Sequence, residues 1–431
     1  MFRYLFVICV RDLNIIIHLY YPVMWKIHGK YYDLTLFLDK HPGGSKILEC
    51  CKGVDCTAAF ESYHAMSNMG KINNIMRKYE VDIQAPDGFK EHTLTFSENG
   101  FYNEVRKRVK KHMMTTKNYK WTWSWLSYAA ATFILFILSH NQAFCRPNNP
   151  FYIRCLYCVI SSTSLIQCLF QIYHDASHMA ISKNKYVNEY ICLLGSGLAY
   201  WDYSTWTKHH SILHHSFTGD YDNDPDTKHA NPFIKKHSNS KRQTHKIISS
   251  NTAISLIFSI FPGMYFGQIV SYLIAQYRKK LWGFKINTSK TLVEWIIIFT
   301  QTLIMIRGES ISLVMLYFLT LNINYSIAIL PDHDLYETHL NNNNAVTDWG
   351  EIQVRHSGNF ATNNWLYTRL YGGINYQIEH HLFPSICSYH LPEVAIIVKE
   401  VCNEYDIKYV SSPNIFTAYF SAIKNIALIN K

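Results

Sequence analysis

Charge is scarce in this chain. Asp, Glu, Lys and Arg make up 17 % of its 431 residues, against about 25 % in an average soluble domain. Aromatic residues reach 15 %, with 31 Tyr and 10 Trp, rings that favour bilayer interfaces. A disulfide framework is also missing. The 11 cysteines show no paired spacing, and Cys155-x-x-Cys158 lies inside an apolar run, where packing explains it better than redox or zinc chemistry. Reduced thiols in a cytosol-facing protein suffice. Nor is there a basic face for nucleic acid. The formal charge of +10 sits beside apolar segments, with Lys107, Arg108, Lys110 and Lys111 before one and Arg278, Lys279 and Lys280 after another. That is the pattern of cytoplasmic loops. Finally, no small-residue cleavage site follows the apolar leader at 1–24, which Arg11 and Asp12 interrupt, so a cleaved signal peptide is not expected. Either a weak anchor or an extension of the reading frame accounts for it.

A mean hydropathy of −0.08 averages two unlike parts. Residues 25–82 read as a small soluble domain. A linker and basic pre-membrane segment follow at 83–120, with Pro86, Asp87 and Gly88 and then the basic stretch Arg106 to Lys120. From 121 to 431 apolar runs dominate. Trp121–Leu138 and Phe151–Tyr173 suit bilayer crossings, which need about 20 residues, and the short turn with Pro147, Asn148, Asn149 and Pro150 makes them a hairpin. Val187–Trp201 is shorter and holds Gly195 and Gly197, so an interfacial or re-entrant helix is expected. Three later runs, Thr252–Tyr277, Thr291–Ile306 and Ile311–Leu330, leave room for only two crossings if the histidines share one face. The cations at 278–280 put Thr252–Tyr277 in the interface. The polar run Asn341–Asn344 is a low-complexity loop.

Histidine is what the chain has in excess, with 22 residues. His41-Pro42-Gly43-Gly44 is followed by Gly53-x-Asp55-x-Thr57-x-x-Phe60 and then His64. A haem that only carries electrons needs an axial ligand on each face, and two imidazoles serve. The glycines of the turn, Gly43 and Gly44, hold the first imidazole close to the haem, and Leu36, Phe37, Ile47, Leu48 and Phe60 would line its crevice. His-Pro-Gly-Gly alone is also an ordinary turn; the surrounding motif gives it meaning.

Three further clusters stand near the ends of apolar segments: His174-Asp175-Ala176-Ser177-His178, His210-x-x-x-His214-His215 beside His209, and Gln377-Ile378-Glu379-His380-His381. Pairs at i, i+4, such as His174/His178 and His210/His214, share a helical face and can hold one metal. His215, about 100° further round, can reach a second, and His380 and His381 can divide between two. Any one pair could be a plain hydrogen-bonded pair, but so many imidazoles exceed the needs of one zinc and indicate two metals. Imidazole suits iron and zinc alike.

The first constellation closely resembles the cytochrome b5 family, with Tyr32-Asp33-Leu34-Thr35-x-Phe37 ahead of it. The three clusters resemble the membrane fatty acid desaturase and hydroxylase superfamily. Asp348-Trp349, Gln353-Val354, Asn359-Phe360-Ala361, Gly372-Gly373-x-Asn375-x-Gln377 to Pro384 and Cys402-x-Glu404-Tyr405 look like its front-end acyl desaturases, in which glutamine replaces the first histidine of the third cluster. The resemblance implies a mainly α fold: a multi-pass transmembrane helical domain with a histidine-ligated di-iron site, preceded by a small α+β cytochrome b5 haem domain. It implies haem b on His41 and His64, and two iron ions on His174, His178, His210, His214, His215, His380, His381 and His333. His333 sits in Pro331-Asp332-His333, with His339 as a nearby competitor. Asp175 and Glu379 are expected to hydrogen-bond the metal-bound imidazoles, and Gln377 to tune the site instead of holding metal. The implied reaction takes two neighbouring hydrogens from an acyl chain with O2. Electrons come from NADH through a cytochrome b5 reductase and the fused domain, with 82–115 as a flexible tether. The substrate is a CoA ester or a lipid-bound acyl group, membrane lipids surround the chain, and no nucleic-acid partner is implied. An integral membrane protein of the endoplasmic reticulum is expected, with both termini and the histidines cytosolic. A sphingoid-base desaturase, a fatty acyl hydroxylase or a membrane-anchored b5-type electron carrier would share much of this pattern.

Overall fold

A computed structural model describes residues 24–83, 93–116, 118–228, 235–239, 264–281, 284–285, 291–308, 310–339 and 346–429. The leader up to residue 23, Pro86-Asp87-Gly88, Asn341–Asn344 and the first part of Thr252–Tyr277 lie outside the described residues.

The amino-terminal unit opens with a hairpin, β1 (Trp25–Ile27) and β2 (Lys30–Tyr32), antiparallel with Trp25 opposite Tyr32. His28 and Gly29 turn it with φ of 50° and 73°, the left-handed pair that suits strand twist. β3 (Glu80–Val81) pairs with β2 and closes the unit. Helices α1 (Ser45–Cys51), α2 (Thr57–Tyr63) and α3 (Met69–Met76) form arms over a core of Trp25, Tyr32, Leu34, Cys50, Cys51 and Met76.

The basic stretch from Arg106 is not part of a tether. Phe101–Thr116 is helix α4, which buries Phe101, Val105, Val109 and Met113, one residue per turn, against Val394, Val398 and Val401. Arg108 is clamped by Glu104 and, through both guanidinium Nη atoms at 2.6 Å, by Glu404. Apolar spacing on one face outweighed the charges on the other.

Two helical hairpins make the membrane part. α5 (Trp123–Phe144) packs on α6 (Phe151–Cys168), and α6 runs on through wide π turns (Leu169–Tyr173) to His174–Ser177. α7 (Lys185–Leu198) and α8 (Tyr203–Trp206, continued by π turns to His214 and by His215–Phe217) follow, and then α9 (Met264–Arg278). The second hairpin is α10 (Leu292–Arg307) with α11 (Ile311–His333). Trp123–Phe144, Phe151–Ser177 and Ile311–His339 are long and apolar enough to cross a membrane. α10 has 16 residues, about 24 Å of helix, yet runs alongside them. Buried Glu294 at its start accepts from Ser196 Oγ and Tyr203 N, while Gly308 just past its end accepts from Arg154 at the α5–α6 turn. Leu292, Ile296, Phe299, Leu303 and Ile306 leave one whole face of it exposed and apolar, as a lipid-facing helix requires. Of the expected later crossings, Ile311–Leu330 falls within a helix long enough to span, while Thr291–Ile306 corresponds to this shorter apolar helix.

Helix α7 is too short to cross. Its glycines serve close packing: a Cβ on Gly195 would stand 2.4 Å from the Tyr173 ring, and one on Gly197 2.8 Å from Ile297.

The remaining chain caps the open ends of the hairpins. α12 (Trp349–His356), a short strand at Asn359–Phe360 that runs parallel to Ser411–Ser412, α13 (Trp365–Leu370), α14 (Gln377–Leu382), α15 (Leu391–Glu404) and α16 (Ile415–Ile429) join α4 there. Gly372 (φ 62°) has no room for a side chain, since a Cβ would lie 2.2 Å from the Phe170 carbonyl oxygen. That close approach sets α14 beside the end of α6.

Candidate metal centre and haem pocket

All three clusters meet at the open end of the hairpins. His174 and His178 from α6, His210 from α8 and His380 from α14 present ring nitrogens within 4.8 Å of one another; His214, His333 and His381 form a second such group. His174 Nε2 is 3.1 Å from His210 Nε2, and His214 Nε2 is 3.1 Å from His333 Nε2. Two nitrogens each about 2.1 Å from one metal, set roughly at right angles, stand about 3 Å apart. His215 belongs to neither group but lies between them. Its ring is 4.5 Å from that of His178, 4.6 Å from His380 and 4.1 Å from His381, with which it stacks.

The expected pairing of His210 with His214 gives way to a division between the groups. Thr207–His214 is a π-helix, whose i to i+5 bonding widens the turn. His215 is consequently nearer to His210 (4.8 Å between ring centres) than His214 is (5.4 Å). His380 and His381 do divide, one to each group.

Both nitrogens of His215, His178 Nε2, His380 Nε2 and Gln377 Oε1 are buried without a hydrogen-bond partner. Burial and neighbouring imidazoles hold His215, His380 and His381 far below the usual histidine range, so the rings are neutral and offer lone pairs. Orphaned neutral imidazoles at ligand spacing are the arrangement a metal needs. The residues therefore fit two metal ions.

The outer nitrogens have partners, but not the expected ones. Asp224 Oδ1 accepts from His214 Nδ1 (2.9 Å), Gln353 Oε1 from His381 Nδ1 (2.9 Å) with Thr218 alongside, and the His356 carbonyl from His333 Nδ1 (2.9 Å). These contacts turn each Nε2 inward, as metal ligation requires. Asp175 and Glu379, expected in that role, hydrogen-bond to no histidine side chain among the described residues. Asp175 accepts from Ser388 N and Oγ, and Glu379 from Asn359 Nδ2 and Tyr409 OH. Each follows or precedes a ligand by one residue, and one helical step points it about 100° aside. Burial pushes Glu379 up to about 7, against those two donors. The missed partners had a signal: the acidic run Asp220–Asp226 directly after the second cluster.

His333, rather than His339, stands in the second group. His209 faces away, bonded to Tyr272 OH and Asp226. Gln377 Nε2 lies 2.9 Å from His333 Nε2 and 3.1 Å from His381 Nε2, so its amide takes the fourth place in a group with three imidazoles.

Some way off, the rings of His41 and His64 face each other with centres 6.2 Å apart. Imidazoles bound to one metal from opposite sides, each nitrogen about 2 Å away, have centres roughly 6 Å apart. Gly44 O and Phe60 O occupy the two Nδ1 atoms at 3.1 and 2.8 Å, freeing Nε2 on both rings. A Cβ at Gly43 would sit 2.9 Å from the His41 ring, so the turn packs directly under the ligand. Burial holds the His41 pKa down at about 4. The pocket fits a bis-histidine haem. Leu36, expected in the crevice, is exposed, while Phe37 and Phe60 pack on the two histidines.

A helical membrane domain with histidine clusters that fit metal, joined to a small unit whose pocket fits haem, is the arrangement of a membrane oxidoreductase. Residues 22–99 match the model of the cytochrome b5-like heme/steroid binding domain, and residues 150–413 match that of the fatty acid desaturase. The second match covers more than half of the sequence, and the chain belongs to the fatty acid desaturase family. Among its relatives, Delta(5) fatty acid desaturase A of Dictyostelium discoideum is 26 % identical over 92 % of this chain and 88 % of its own length. An acyl-lipid (8-3)-desaturase of Mortierella alpina is 24 % identical over 94 % and 93 %. The Delta(8)-fatty-acid desaturase of Borago officinalis is 23 % identical over 93 % and 89 %. These matches run through both domains, and the chain is a b5-fused desaturase of the front-end type.

Proposed function

We propose that the chain desaturates fatty acyl chains at a di-iron centre formed by His174, His178, His210 and His380 on one side and His214, His333, His381 and Gln377 on the other. His215 stands between the two. The observation that carries this is the pair of converging, buried imidazole groups at ligand spacing beside a haem pocket in the same chain. Iron bound there would supply the O2 chemistry that unactivated methylenes require. Each double bond removes two hydrogens from the acyl chain and reduces one O2 to two waters, with two electrons and two protons from elsewhere. His41 and His64 would hold a haem that supplies the electrons singly, and an NADH-dependent b5 reductase on the cytosolic face of the endoplasmic reticulum would restore it. Asp224, Gln353 and the His356 carbonyl keep the second group's ligands in register. A cavity of about 80 Å³ beside His214 and His333, with Asp224, Asp226, Lys236 and Asp334 in its lining, would admit water and protons to the centre.

Expression in yeast fed with defined fatty acids, followed by mass spectrometry of the products, tests this. A new cis-unsaturated fatty acid is expected from the intact chain and none from His380→Ala. The bond named for the Dictyostelium relative, Δ5, is the first to look for. A hydroxylated acyl chain, or a desaturated sphingoid base without any new fatty acid, would overturn the reading.

A further inference from the structure

The haem unit is docked on the metal centre, and one side chain joins them. Tyr63, the last residue of α2, immediately precedes His64. One helical step separates their directions by about 100°, so His64 faces its haem partner His41 while Tyr63 faces the membrane domain. Its hydroxyl lies 2.6 Å from His178 Nδ1 and 3.2 Å from the carbonyl oxygen of Ser211. Ser211 lies in the π turns between His210 and His214. The tyrosine ring also runs nearly parallel to the His178 imidazole, with an angle of 20° and centres 6.1 Å apart.

The Ser211 carbonyl can only accept, so the Tyr63 hydroxyl donates to it. The lone pair of that hydroxyl then accepts from His178 Nδ1–H. This fixes the His178 tautomer and leaves Nε2, buried and partnerless, to bind metal. His214, His333 and His381 take their outer partners from the membrane domain; His178 takes its partner from the haem domain.

The surrounding contacts hold this geometry. Lys208 Nζ donates to Cys50 O at 2.5 Å, Lys185 Nζ to Asp39 O at 3.1 Å, and Tyr102 OH to Glu61 O at 3.3 Å. Arg106 pairs with Glu61. The haem unit is therefore anchored from α8, α7 and α4 together.

We infer that Tyr63 is the positioning residue through which the haem domain completes the metal centre: it holds His178 in its metal-binding tautomer and gives the electron a bonded route from His64. The route runs along the backbone from His64 to Tyr63, through the ring and hydroxyl, and across one hydrogen bond to His178. A haem held by His41 and His64 would supply one electron, passing from ferrous to ferric as a metal held by His178 is reduced. Tyr63 itself is neither oxidised nor deprotonated. The inference rests on the reading of the haem domain as electron donor to a metal centre.

The test is Tyr63→Phe in the full chain, which keeps the ring and removes the hydroxyl. The low-spin haem spectrum should stay unchanged, because both axial histidines remain. Cobalt(II) titration of metal-free protein should show affinity for the first group reduced on the order of 10–100-fold, the usual effect of removing an outer partner of a metal-bound histidine. In iron-saturated protein, pre-reduced haem mixed with O2 and acyl substrate should reoxidise more slowly, followed at the Soret band. A fall in either quantity carries the inference; wild-type metal affinity together with wild-type haem reoxidation overturns it. If haem in the unmodified chain is not reoxidised at all, the donor reading fails instead, and the cobalt titration still decides the role of Tyr63.

Discussion

At the scale of single residues, Gln377 separates the two metal groups. The first has four imidazoles; the second has three and this amide, 2.9 and 3.1 Å from two of the ring nitrogens. Once those nitrogens give their lone pairs to a metal they no longer accept from an NH2 group. The amide then gains by turning its oxygen, now buried and unpaired, towards the ion. Its two ends are exchanged by a simple flip. Gln377→Ala should therefore weaken iron binding at one of the two sites, on the order of 10–100-fold, whereas Gln377→His should restore it. Iron per chain under a limiting chelator reads this directly. Full iron retention in Gln377→Ala would return the residue to a purely tuning role. Gly43 makes a second residue-scale case. A methyl group there meets the His41 ring, and such overpacking destabilises by about 1–3 kcal/mol. Gly43→Ala should lower the Soret absorbance per chain while leaving the iron content of the membrane domain unchanged.

At the scale of elements, the structure departs from simple helical geometry where the chemistry is. The clusters and their number are legible in the sequence, because histidine is rare enough for repeated pairs to stand out. Which imidazoles share a metal is not, since an α-helical reading puts His214 with His210 and only the π turns undo that. Gln353 is illegible as a partner because it comes from a separate helix, joined to the ligands by folding alone, whereas Asp224 lies in the acidic run that follows the second cluster. The pre-membrane helix hides for a related reason: Lys107, Arg108, Lys110 and Lys111 dominate the composition, but the one-per-turn row from Phe101 to Met113 decides the packing. Two glycines provide a matched test of packing. Gly195 in α7 has the Tyr173 ring against it, while a Cβ added at Gly267 in α9 would meet nothing within 4 Å. Gly195→Ala should lower stability by about 1–3 kcal/mol through overpacking. Gly267→Ala should raise it by about 0.5–1 kcal/mol, because alanine loses less backbone freedom in a helix. Thermal unfolding in detergent, followed by circular dichroism, should move in opposite directions for the two.

At the scale of the whole molecule, the helical hairpins decide which face of the membrane holds the metal centre. The α5–α6 turn and the end of α10 lie together, joined by Arg154 and Gly308, and the histidines gather at the opposite ends of the same helices. Two hairpins bring the chain back to its starting face twice. We read α16, of 15 residues, as a helix that does not reverse this. It lies instead against α11, with Phe416 and Phe420 exposed. On this reading the haem unit, the metal centre and the carboxyl-terminal helix share a face, which we propose is the cytosolic one. A glycosylation acceptor inserted in the turn between Phe144 and Phe151 should be modified in microsomes. Acceptors in the loop after Phe217 and at the carboxyl end should remain bare. Sugar on the Phe217 loop, with none on the hairpin turn, would invert the topology and place the haem where no cytosolic reductase could reach it.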